Sequence, residues 1–175
     1  GTFGVPVESG QSTISTYLRA GDLNNDNHVD LVVTFWGGDI STLLGDGQGN
    51  FLEVQRTYIP LGSIFQMDLA DLDLDGNLDA CFADAWGVFL FKGNGDGTIV
   101  HAQTLGIGRG IEGLGIADFG GDGAPDIAVS GGSLHQDLGA AIILYNLINA
   151  QVAVEPPIEA SAPPLRLLAN PARGR

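Results

Sequence analysis

The sequence predicts an all-β protein: a partial β-propeller of three four-stranded blades, followed by a Pro-rich C-terminal linker. Three observations lead there. The first is repetition. "GDLNNDNHVDLVV" (21–33), "ADLDLDGNLDACF" (70–82) and "ADFGGDGAPDIAV" (117–129) align without gaps, with first aspartates at 22, 71 and 118, so the spacings are 49 and 47 residues. A second landmark, "GTF" (1–3), "GNF" (49–51) and "GTI" (97–99), recurs every 48 residues. Periods of this length mark propellers and solenoids. The second observation is composition: 27 glycines and only 7% aromatic residues suit short strands joined by tight turns. The third is that each repeat holds four β-rich stretches, the content of one propeller blade.

The elements follow in order. The opening "GTFGVPVESG" reads as the last strand of a preceding blade, assigned to residues 1–15. Blades are expected at about 16–62, 63–111 and 112–150. In each, a first strand precedes an acidic loop ("TYLRAGDL", "IFQMDLADL", "GLGIADF"). A second strand follows it ("DLVVTFW", "DACFADAW", "DIAVSG"). A third leads to a glycine turn ("STLLG", "GVFLFKG", "AAIILYN"), and a fourth follows that turn ("FLEVQRTYI", "TIVHAQTLGI"). Residues 151–164, with "AVEPPIEASAPP", read as a semi-rigid linker. Residues 165–175, "LRLLANPARGR", turn apolar again.

Charge narrows the partners. The chain has 21 acids against 7 Lys and Arg, a formal net charge of −14. Nucleic acid and anionic membranes are excluded, because no basic stripe is present to displace counterions. Neither a secretory signal nor an apolar run of transmembrane length occurs, so membrane insertion is not expected. Cys81, alone in "DACFAD", reads as a small buried hydrophobe.

The acids are concentrated. Ten of the 21 fall in the three loops: Asp22, Asp26, Asp30, Asp71, Asp73, Asp75, Asp79, Asp118, Asp122 and Asp126. Read as nine positions, each loop offers oxygens at 1, 3, 5 and 9 and a backbone carbonyl at 7. The first loop supplies Asp22, Asn24, Asp26 and Asp30 with the His28 carbonyl. The second supplies Asp71, Asp73, Asp75 and Asp79 with that of Asn77. The third supplies Asp118, Asp122 and Asp126 with that of Ala124, and Gly120 leaves position 3 without a side-chain ligand. Hard oxygens on a tight turn suit Ca²⁺. Without a cation, the carboxylates should raise one another's pKa and strain the loop. Gly76 permits a left-handed turn, and Asn27 tolerates the same backbone region. The third loop is expected to be the weakest. An EF-hand is excluded, because position 12 is Val33, Phe82 or Val129 rather than Glu.

No active site is expected. "GDGQG" and "GNGDG" lack the helix and Lys-Ser/Thr of a phosphate loop. His28, His101 and His135 lack zinc spacing. No hydrolase or metalloprotease motif is present. The strand order places acidic loops and glycine turns on one face. Trp36 and Trp86, in the loops between second and third strands, fall on the other. They read either as caps of their hairpins or as stacking platforms for a sugar or peptide.

The loops "DLNNDNHVD", "DLDLDGNLD" and "DFGGDGAPD", with the turns "GDGQGNF" and "GNGDGTI", resemble the FG-GAP/VCBS repeats of integrin-α-like β-propellers over residues 1–150. The resemblance implies Ca²⁺ between the first and second strands of each blade, and a secreted or cell-surface protein used in adhesion or carbohydrate recognition. It also implies ligand binding on the face that bears Trp36 and Trp86. Residues 165–175 resemble the opening of a bacterial C-terminal sorting domain of the type IX secretion kind. A glycan or surface protein is the expected partner. The alternatives are a non-catalytic region of a secreted polysaccharide-degrading enzyme and a passive surface scaffold. Three blades are fewer than the about four to eight that close a propeller, so the chain reads either as a piece of a larger propeller or as one protomer of an assembly that closes by self-association through open blade edges. Residues 1–9 could then complete the third blade of another copy.

Overall fold

The computed structural model describes residues 15–59, 64–107, 110–131 and 140–147. The opening strand expected before residue 15, the fourth strand of the third blade, the linker and residues 165–175 lie outside them.

Eleven strands form three antiparallel sheets among the described residues. The first sheet runs β1 (Ser15–Gly21), β2 (Asp30–Phe35), β3 (Asp39–Gly45) and β4 (Phe51–Tyr58), each paired with the next. The second repeats the order with β5 (Gln66–Ala70), β6 (Asp79–Ala83), β7 (Gly87–Gly93) and β8 (Ile99–Gly106). The third holds β9 (Ile111–Ala117), β10 (Asp126–Gly131) and β11 (Ala140–Leu144). These are the three expected blades. The first strands β1, β5 and β9 lie side by side, so the sheets pack face to face like blades around an axis.

Alternation along each strand assigns its faces. On β6, Ala80 and Phe82 point into the seam with blade one, and Cys81 and Ala83 into the seam with blade three. The middle blade is therefore covered on both sides, and all five residues of β6 are buried. Phe82 fills the first seam edge-on to Phe91, with ring centroids 5.4 Å apart. Burial pushes the Cys81 thiol up to about 12, which leaves it protonated and inert.

Polar contacts lock the seams where side chains reach across. The Gln55 amide accepts from the Ile99 N–H at 2.7 Å and donates to the Ile99 carbonyl at 2.9 Å. Asn25 donates to Asn77 at 2.8 Å, joining the first two acidic loops. Both fourth strands carry a bulge at the same place. Leu43 pairs with Glu53 and Thr42 with Gln55, which skips Val54. Phe91 pairs with His101 and Leu90 with Gln103, which skips Ala102.

Candidate functional site

Each acidic loop leaves a first strand and enters a second, and all three fold by one hydrogen-bond scheme. The carboxylate at position 1 accepts the N–H groups of positions 5 and 6. Asp22 accepts from Asp26 and Asn27 at 3.1 and 2.7 Å, Asp71 from Asp75 and Gly76 at 3.0 and 2.8 Å, and Asp118 from Asp122 and Gly123 at 3.2 and 3.0 Å. The carboxylate at position 5 accepts the N–H of position 7, at 2.8 Å for Asp26 from His28, 2.9 Å for Asp75 from Asn77 and 3.0 Å for Asp122 from Ala124. Two residues per loop are left-handed: Asn25 and Asn27, Leu74 and Gly76, Gly121 and Gly123. The sequence pointed to position 6 alone. Leu74, with φ of 60°, takes that conformation without the local hydrogen bonding that helps Asn.

Position 9 ties the loop to the blade. Asp30, Asp79 and Asp126 are each buried at the start of the second strand. One oxygen accepts an N–H from inside the loop: Leu23, Leu72 or Gly120, each at 2.8 Å. The other accepts from the end of the third strand: Gly45 and Gly93 at 2.8 Å, Asn146 at 2.7 Å. One carboxylate thus holds three segments together. The Gly120 N–H serves this anchor in the third loop, where position 3 otherwise offers a carboxylate or an amide.

Among the described residues, the second loop alone brings three carboxylates together. Asp71, Asp73 and Asp79 each present an oxygen, all within 4.8 Å of one another, in a group that could hold a metal ion. The donors are all carboxylate oxygens, which fits a hard cation and not a thiophilic one. Asp75 is drawn elsewhere. The Lys92 ammonium, from the end of β7, bridges Asp73 and Asp75, at 2.8 Å from Asp75. No sequence motif pointed to Lys92. The available signal was a lone cation in the apolar strand "GVFLFKG", directly before a glycine turn on the acidic face.

This arrangement corrects the expected mutual rise in pKa. The Lys92 ammonium, then the Asn77 N–H, hold Asp75 below the usual carboxylate range. The His28 N–H and the Asn24 side chain do the same for Asp26, and the Gly123 N–H for Asp118. Donors already point at these charges and outweigh repulsion. Asp79 alone moves up, first because it is desolvated, then by the charges of Asp73 and Asp75.

The glycine turns sit against the loops, as expected for a shared face. His28 packs against Gly47, and Asn77 against Gly95, where a Cβ would collide with either side chain. The His28 ring also lies 3.6 Å from Asp26.

The opposite face carries Trp36, 73% exposed, and Trp86, 56% exposed, so neither ring is buried as a hairpin cap. Tyr58, at the end of β4, and Phe65, before β5, are exposed at the same end. Below Trp86 lies a group the sequence reading missed. Asp84 is buried, accepts the N–H of Trp86 at 2.6 Å and of Gly87 at 2.9 Å, and leaves its second oxygen without a hydrogen-bond partner. It orders the hairpin that presents Trp86. No helix among the described residues is long and apolar enough to cross a membrane.

A family model described as FG-GAP-like repeat matches residues 22–82 and again 71–129, together more than half of the chain. Each match runs from the first aspartate of one acidic loop into the second strand that follows the next. No curated protein matches the chain.

Proposed function

The chain belongs to the FG-GAP-like repeat family, and on that premise we propose that it is a calcium-stabilised propeller module of a secreted or cell-surface protein. Its task is adhesion or recognition of a glycan or protein. The observation that carries the calcium reading is the convergence of Asp71, Asp73 and Asp79. Calcium would bind these carboxylates and neutralise the most acidic part of the loop face. The protein's own contribution is preorganisation. Backbone N–H groups fix the carboxylates, and the position 9 aspartates clamp the hairpin. The ligand surface is the opposite face, where Trp36 and Trp86 stand exposed with Tyr58 and Phe65. Exposed aromatic rings of this kind stack on sugar rings and peptide side chains.

The test is thermal unfolding, followed by tryptophan fluorescence, in millimolar Ca²⁺ and in EDTA. The melting temperature is expected to rise with calcium, and Asp73→Ala should blunt that rise. Equal melts would remove the calcium reading. Binding to a glycan array should be lost in Trp36→Ala with Trp86→Ala while the melt is unchanged.

A further inference from the structure

We propose that Lys92 is a tethered cation that holds the second acidic loop in its metal-free form and leaves Asp73 and Asp75 when a divalent cation binds, so that the loop exchanges an ammonium for a metal. This exchange rests on the calcium reading of the same loop and adds the event that accompanies binding.

Lys92 is the single lysine among the 7 Lys and Arg residues of the chain. It stands beside the one acidic loop with four aspartates, Asp71, Asp73, Asp75 and Asp79; position 3 is Asn24 in the first loop and Gly120 in the third. Its place in the blade is defined by the clamps. The N–H groups of Gly45, Gly93 and Asn146 meet the position 9 aspartates, and Lys92 immediately precedes Gly93. The other two blades have Leu44 and Tyr145 at that place. The lysine therefore coincides with the extra carboxylate. Four aspartates less one lysine leave the second loop with three net negative charges, equal to the three aspartates of each other loop.

The contacts show what the ammonium occupies. Asp75 accepts the Asn77 N–H on one oxygen at 2.9 Å and meets Lys92 with the other at 2.8 Å. Asp73 accepts the Asp75 N–H on one oxygen at 3.3 Å and meets Lys92 with the other. In the first loop the corresponding oxygen of Asp26 is met by the neutral Asn24 amide at 2.9 Å. Asp73 is thus shared between Lys92 and the group it forms with Asp71 and Asp79. A hard divalent cation takes carboxylate oxygens, so it and the ammonium compete for the same side chains. Lys92 is free to yield. Its side chain is 41% exposed and its charge sits at the end of a flexible four-carbon stem. The rest of the loop has no such freedom. Backbone N–H groups hold Asp71 from Asp75 and Gly76, and Asp79 from Leu72 and Gly93. One side chain can move while the carboxylate frame stays.

A single lysine makes the test direct. In protein grown with ¹³C-lysine, the lysine side-chain NMR signals belong to Lys92 alone. In EDTA they should be shifted and broadened relative to an exposed lysine, because the ammonium is held by two carboxylates. Saturating calcium should move them to the position and line width of an exposed lysine. Calorimetric titration of the same protein should give calcium binding about tenfold weaker than in Lys92→Met, and Lys92→Arg, which keeps a cation in place, should not share that gain. Calcium binding with unmoved lysine signals overturns the exchange and leaves the calcium reading standing. Equal affinity in the unaltered chain and Lys92→Met does the same. Absence of calcium binding in all three chains removes the calcium reading and the exchange with it. The NMR measurement uses the unaltered chain, so it decides even where a variant fails to fold.

Discussion

Lys92 changes what the second loop is at rest. Its ammonium supplies positive charge to Asp73 and Asp75 at the edge of the group formed by Asp71, Asp73 and Asp79. A calcium ion there would meet a fixed cation a few ångströms away. Lys92→Met should therefore tighten calcium binding at this loop by about tenfold, because a screened like charge beside the ion is removed, as read by calorimetric titration. In EDTA the same substitution should lower the melting temperature, because two carboxylates lose their counterion. Acid sensitivity also resides in single residues. Hydrogen bonds from the side chain and N–H of Thr98 hold Asp96 below the usual carboxylate range, and Asn50 and Gln48 act likewise on Asp46. A carboxyl whose folded pKa is depressed contributes stability that is present above the unfolded value. That contribution is lost as pH falls through the folded value. Melting temperature should thus fall below about pH 4, and Asp96→Asn should lower it at pH 7 with little effect at pH 2, so that the fall becomes shallower, measured by melts across pH 2–7.

At the scale of elements, the unit is a hairpin locked to a third strand by one buried aspartate. Asp79 receives the Leu72 N–H from the loop and the Gly93 N–H from β7. Such close approach leaves no room at the end of the third strand. A Cβ on Gly93 would fall on the Leu78 carbonyl oxygen, and one on Gly45 on that of Val29. Gly93→Ala should cost about 2 kcal/mol and lower calcium affinity at the second loop, since displacing Leu78 shifts Asp79; urea unfolding and calorimetry read the two effects. The nine-position spacing was legible in the sequence because the loop is built from its own backbone N–H groups. The left-handed conformation at Leu74 was not legible, because no residue type there announces it. Lys92 was not legible either, because its reach to Asp73 depends on how β7 pairs with β6.

For the whole molecule, stability lies in the seams between blades. The two apolar clusters meet back to back on β6, one through Phe82 and the other through Cys81 and Ala83. Phe82→Ala removes a fully buried ring from the first seam, and about 3–5 kcal/mol of stability should go with it. Its urea midpoint should drop at an unchanged slope, because the shared middle blade couples both seams in one transition. The proposed calcium binding would act on the same balance. At a dissociation constant of about 10⁻⁴–10⁻³ M, a tenfold excess adds about 1.4 kcal/mol per occupied site.

The sequence alone determined the repeat, the strand order within each blade, the shared face of acidic loops and glycine turns, and the family. Those features rest on local chemistry: period-two alternation, turn residues, and carboxylates that accept N–H groups a few residues away. The tertiary structure decided which carboxylates converge, which one meets Lys92, and that Trp36 and Trp86 stand exposed rather than tucked onto their hairpins. It also decided that the position 9 aspartates are buried clamps and that Asp84 lies under the Trp86 hairpin. The Lys92 contact and the clamps onto the third strand depend on residues a dozen or more apart, brought together by strand register.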